Sequence, residues 1–199
     1  MAGSQVVLGV DASWSGDSTG IVGCTIPEQL ESGELGVPHL FRVASWEKPK
    51  DAQGWRIPVA EVEQAIRLSA EHLRVVEVAC DPYRFERSMT VLADEGYPMT
   101  EFPTNSLARM VPACQSFADA VLDGRLTHDG DPALSRHIGN AKVKTDHRGP
   151  RIVKQHKAST DFIDLAVCAV IAHARALARA VEGEAPELDY FSLDDFLED

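Results

Sequence analysis

Basic residues are in short supply in this 199-residue chain: 19 lysines and arginines face 31 aspartates and glutamates, a formal net charge of −12. A deficit of that size argues against a protein that coats nucleic acid by bulk charge. Cysteine is scarce as well, with four residues (Cys24, Cys80, Cys114, Cys168) far apart and never in a Cys-x-x-Cys pair. Thiols spaced this way read as reduced and buried, which points to a cytoplasmic protein without a disulfide framework or zinc site. No apolar run reaches membrane-spanning length, and the N-terminus lacks the basic stretch of a secretory signal. No G-x-x-x-x-G-K-[ST] phosphate loop occurs, so the sequence contains no P-loop ATPase. The seven histidines show no H-E-x-x-H or other ligand spacing, and no serine or cysteine sits in a nucleophile motif. What is present is ordinary globular composition, 44% hydrophobic and 25% charged, enough for one compact α/β domain.

The charge is unevenly spread. Residues 182–199 hold eight acids and no base, and define an acidic tail beyond a domain of residues 1–181. Such a tail reads as a solubilising end, with docking onto a partner as the alternative. Residues 134–158 reverse the balance: Arg136, Lys142, Lys144, Arg148, Arg151, Lys154 and Lys157 stand against Asp146 alone. A basic segment in an acidic protein is a candidate phosphate-facing surface, or else a solvated face.

Residues 6–10 are apolar and β-branched and end on Asp11; turn formers follow, then a second strand over 21–26, which together predict a hairpin. Further strands are expected over 40–46, 73–80 and 99–102, and helices over 59–72, 85–95 and 106–122. Residues 124–151 predict short strands and a short helix. Residues 161–181 are apolar almost all round, the pattern of a buried helix. Three early strands followed by strand–helix alternation imply a mixed sheet with helices on its faces.

Asp11 and Asp81 each stand where an apolar strand gives way to a loop. If those strands are parallel neighbours, both carboxylates emerge at one sheet edge. Asp161 and Asp164, three apart at the head of the last helix, are expected on one face, and bringing that helix to the same edge would gather the acids. Clustered carboxylates repel unless a cation neutralises them or some are protonated. Oxygen-only ligands select hard ions, Mg²⁺ or Mn²⁺, and two such ions could activate water against a phosphodiester. Taken singly, each aspartate has a plainer reading: a turn former at Asp11, Asp17 or Asp81, a helix N-cap at Asp161.

The ordered segments V-L-G-V-D-A-S, D-S-T-G-I-V, V-A-C-D-P-Y-R-F, D-G-R-L-T-H-D-G-D-P-A-L-S-R-H-I-G-N-A and K-Q-H-K-A-S-T-D-F-I-D-L-A-V-C-A-V-I-A, spread over roughly residues 5–178, resemble the C-terminal nuclease domain of the large terminase subunit of tailed bacteriophages. The resemblance implies an RNase H-like α/β fold: antiparallel first three strands, then parallel strands, with helices on both faces. It implies a Mg²⁺- or Mn²⁺-dependent endodeoxyribonuclease that cuts double-stranded viral DNA during genome packaging in the host cytoplasm, using two ions. By this resemblance Asp11, Asp81 and Asp161 are the catalytic, metal-binding acids, Asp164 is a further candidate ligand, and Asp17 a candidate supporting acid near the ions. Lys142, Lys144, Arg148, Arg151, Lys154 and Lys157 would hold DNA by charge. The partners implied are a packaging ATPase domain, the small terminase subunit and the portal. Without a phosphate loop here, the chain reads as an excised domain or a separately encoded nuclease. Alternatives are another RNase H-like enzyme (junction resolvase or transposase-like), a sugar-kinase or actin-like fold, and a non-catalytic docking module of the packaging motor.

Overall fold

A computed structural model of the chain describes residues 3–12, 18–83, 85–155 and 161–183. The acidic tail from residue 184 onward, Asp17 and Lys157 lie outside the described residues. In chain order the elements are β1 (Gln5–Asp11), β2 (Ser18–Thr25), β3 (His39–Glu47), α1 (Val59–His72), β4 (Arg74–Cys80), α2 (Glu86–Asp94), β5 (Met99–Glu101), α3 (Leu107–Leu122), β6 (Thr127–His128), α4 (Pro132–Asn140), β7 (Lys142–Asp146), β8 (Gly149–Val153) and α5 (Asp164–Glu182). Six strands form one sheet in the order β5-β4-β1-β2-β3-β6. Strands β1, β2 and β3 pair antiparallel; β4 runs parallel to β1, and β5 parallel to β4. The architecture is the expected mixed sheet. The short strands and short helix expected over residues 124–151 are the edge strand β6, helix α4 and the β7–β8 hairpin, which forms a separate two-stranded sheet.

Side chains alternate across a strand, so each face of β1 has its own core. Val6, Leu8 and Val10 pack with Val62 and Ile66 of α1 and Met89 and Leu92 of α2. Val7 packs on the other side with α3 and α5, among Met110, Phe117, Cys168 and Ala172. Both faces are therefore covered, as the β-branched strands require. Among the described residues, no helix is long and apolar enough to cross a membrane.

Helix α5 crosses β1 and β2 at close range because two glycines admit it. A Cβ added at Gly9 would lie 2.3 Å from the Cys168 carbonyl oxygen and 2.7 Å from the Ala172 nitrogen. At Gly20 it would lie 2.6 Å from Leu165 Cδ2. The obstruction at Gly9 is helix backbone, which cannot rotate away. Gly9→Ala is thus expected to destabilise the fold by about 3 kcal/mol, read from chemical denaturation, because α5 must lift off the sheet. Farther along, the buried carboxylate of Glu77 on β4 binds Arg175 (2.5 Å) and Arg179 (2.6 Å) of α5. That pairing fixes the helix lengthwise, since removing either partner would strand a buried charge.

Candidate metal centre

The parity that sorts the core also sorts the carboxylates. Asp11 follows Val7 and Gly9 in alternation and so faces α5; Asp81 follows Ala79, which belongs to the same core, onto the same side. In the parallel β1–β4 ladder Val10 pairs with Cys80, so the two aspartates leave the sheet side by side. Asp164 opens α5 and is buried at that edge. Burial, then the Asp164 and Asp81 carboxylates, push the Asp11 carboxyl up to about 8, with Lys154 pulling the other way. That opposition marks Lys154, from the basic segment, as a cation near the carboxylates.

Each acid has a fixed neighbour. The Ser18 hydroxyl donates to Asp164 Oδ2, and the Thr104 hydroxyl donates to Asp81 Oδ2. The Tyr83 backbone N–H donates to Asp81 Oδ1 at 2.9 Å. The Asp11 N–H donates to Cys168 Sγ at 3.2 Å, and that thiol donates onward to the Gly20 carbonyl at 3.1 Å, joining β1, β2 and α5. The donor chemistry is all oxygen, which suits a hard divalent cation. Among the described residues, no three His, Cys, Asp or Glu side chains already close around a common point.

The expectation for the last helix needs correction. It begins at Asp164, with Ile163 at the N-cap position, and not at residue 161. Asp161 is therefore neither on a shared helical face with Asp164 nor the helix cap. It is exposed and lines a cleft with Glu47, Arg136 and Phe162. The physical reason is tertiary: the Leu165 N–H, one of the free donors of the first turn, is taken by His137 Nδ1 at 3.0 Å. His137 is fully buried, and burial lowers its pKa, keeping the ring neutral. Accepting at Nδ1 leaves the ring proton on Nε2, which donates to Glu47 Oε1 at 3.1 Å. Glu47 faces His137 because a bulge sets Val22 opposite Arg42 but Ile21 opposite Ala44, reversing the alternation of β3. Helix α4 is held in turn by Asp131, which accepts from the Ala133 and Leu134 N–H groups and pairs with Arg42 at 2.7 Å.

Of the basic residues, Lys142 and Lys144 are exposed on β7. Arg151 is paired with Asp146 at 2.8 Å, and Arg148 stands 3.9 Å from the same carboxylate, which they hold down to about 2. The β8 strand packs on α3. No local pattern in the sequence marks Ser18, Glu47, Thr104 or His137, because each is defined by a partner on a distant segment.

Residues 42–183 match the family described as "Terminase large subunit, endonuclease domain". The chain belongs to this family. The matched segment of the terminase domain contains Asp81, Asp161 and Asp164 and begins after Asp11. The Gene 13 protein of Mycobacterium phage L5 is 31% identical over 182 residues, covering 85% of this chain. The chain spans 29% of the length of that curated relative and likewise of its counterpart from Mycobacterium phage D29. Among solved structures, the large terminase of bacteriophage HK97 superposes with a TM-score of 0.69 at 20% identity, over 86% of this chain and 39% of that one. The large terminase nuclease of thermophilic phage G20c gives 0.60 at 13% identity, over 88% and 84%. A G20c structure with bound magnesium gives 0.58 at 13% identity, over 88% and 83%. These likenesses establish the RNase H-like terminase nuclease fold.

Proposed function

We propose that this terminase domain is a divalent-cation-dependent endodeoxyribonuclease that cuts double-stranded viral DNA during genome packaging, with Asp11, Asp81 and Asp164 holding two Mg²⁺ or Mn²⁺ ions. The observation that carries the reading is the convergence of these three carboxylates at one sheet edge, close enough that Asp164 and Asp81 raise the Asp11 pKa. Carboxylates so placed in a buried setting are costly alone and fit a cation. The magnesium and cobalt bound to the G20c nuclease support a divalent ion for this chain too. Bound ions would supply the Lewis acidity that activates water and offsets charge on the leaving oxygen of the phosphodiester.

The chain's own residues hold and orient. Ser18 and Thr104 restrain Asp164 and Asp81 in the absence of an ion, and the Cys168 thiol fixes the Asp11 backbone. Lys154, beside Asp11, is the first candidate to meet the DNA phosphate, and Lys142 and Lys144 are free to meet the flanking backbone. Arg148 and Arg151 are engaged by Asp146 and would contribute less. Delivery to DNA falls to a packaging ATPase domain, the small terminase subunit and the portal, in the host cytoplasm. The test is plasmid nicking with Mn²⁺ or Mg²⁺. Cleavage by the wild-type chain, abolished by chelator and by Asp81→Asn, is expected; cleavage that survives Asp81→Asn refutes the assignment.

A further inference from the structure

The edge that carries the carboxylates continues into a cleft of about 700 Å³, lined among others by Lys48, Lys50, Arg136, Asn140, Asp161 and Phe162. Its position follows from the sheet. Glu47, the last residue of β3, pairs in register with Ser18, whose hydroxyl holds Asp164. Since β3 and β1 both lie antiparallel to β2, the chain leaves β3 at the edge where Asp11 leaves β1. Lys48 and Lys50 are the exposed residues that follow. The opposite wall is α4, with Arg136 and Asn140. Asn140 Nδ2 donates to the Phe162 carbonyl at 3.0 Å, and the Lys154 ammonium lies 6.0 Å from the Phe162 ring centroid.

Among the described residues, the charge of this cleft opposes that of the whole protein. The Glu47 carboxylate is met by Arg136 at 2.5 Å and by the His137 ring, so it is already compensated. Among the described residues that line the cleft, Lys48, Lys50 and Arg136 carry positive charge and Glu47 and Asp161 negative, and Lys154 stands close by over Phe162. Compact ammonium charges on flexible stems at an open groove suit successive phosphates of a polymer.

We infer that this cleft seats the sugar–phosphate backbone of duplex DNA on the β3 side of the cleaved bond, with Lys48 and Lys50 as its phosphate contacts. The inference takes its ligand from the nuclease reading above and adds two phosphate contacts, Lys48 and Lys50, outside the basic segment of residues 134–158. DNA so held would run across the sheet edge from Asp81 and Asp11 past Ser18 to the end of β3.

The experiment is binding of a fluorescent blunt duplex by anisotropy in chelator, across a salt series, so that no cleavage enters the readout. The double variant Lys48→Ala, Lys50→Ala is expected to lose at least about 10-fold in affinity near 0.1 M salt, and to flatten the log–log salt slope by about 2. Arg74→Ala, at the opposite end of β4, is the control and is expected to leave both unchanged. Thermal midpoints equal to wild type are expected, since both lysines are exposed. A double variant with wild-type slope and affinity overturns the inference, as does an equal loss in Arg74→Ala. A chain that nicks plasmid normally while the double variant binds like wild type loses the cleft and keeps the nuclease. A chain that never nicks, yet whose salt slope falls as stated, keeps the cleft and loses the nuclease.

Discussion

Asp164→Asn is expected to lower the cation-dependent cleavage rate by about a thousandfold, while Asp161→Asn stays within about threefold of wild type. The difference rests on where the two side chains sit. Asp164 is buried at the first position of α5, hydrogen-bonded to Ser18, and acts on Asp11 through space. Asp161 is exposed, precedes the helix, and opens onto the cleft beside Lys48 and Lys50. Removing one carboxylate from an ion cluster forfeits several kcal/mol of transition-state stabilisation, and each 1.36 kcal/mol is tenfold in rate, which gives the thousandfold figure. Asp161→Asn instead removes an anion from a phosphate-facing surface and is expected to tighten DNA binding slightly. Initial rates of plasmid nicking at saturating Mn²⁺ separate the two. Equal losses in both variants, or the larger loss in Asp161→Asn, would return the ligand role to Asp161.

That contrast also marks how far the sequence alone reaches. Asp11 and Asp81 are legible because strand alternation is a local rule: an apolar run of period two ending on an acid fixes the face on which the acid emerges. The parallel pairing of their strands follows from the helical pattern of residues 59–72 between them, which the structure reproduces as α1. The start of α5 is not legible in the same way. Ser159, Thr160 and Asp161 carry the composition of a helix start, so local preference favours residue 161. The donor of the first turn is instead satisfied by an imidazole from α4, 28 residues earlier in the chain. That ring is held by Glu47, itself turned inward by the bulge in β3. No window of sequence contains all three residues, so the shift from Asp161 to Asp164 emerges only from tertiary contact. The β7–β8 hairpin is similar. Its strands are short and mostly exposed or half-buried, and its basic composition does not reveal that Arg148 and Arg151 turn toward Asp146.

Asp11→Asn is expected to abolish cleavage and yet to stabilise the cation-free protein. The folded chain holds the Asp11 carboxyl at about 8, against 3.8 for the ordinary group, because burial and two neighbouring carboxylates penalise its charge. Between those two values the unfolded chain has released the proton while the folded chain retains it. Folding then binds a proton, and stability falls as pH rises through that window. Well below pH 4 the group is protonated in both states and costs nothing; at pH 8 the cost amounts to about 5 kcal/mol, at 1.36 kcal/mol per pH unit. Asparagine keeps the shape and never ionises. In chelator at pH 8 the variant should therefore melt roughly 10 °C above wild type, taking about 2 °C per kcal/mol for a domain of this size. The gap should close as the pH is lowered toward 4. Adding Mg²⁺ or Mn²⁺ at pH 8 should raise the wild-type midpoint and leave the variant's nearly unmoved, because ion binding to the folded state alone offsets the same repulsion. Melting curves that coincide at pH 8 without cation would mean that the three carboxylates do not repel as their arrangement requires, and the ion cluster would lose its physical basis.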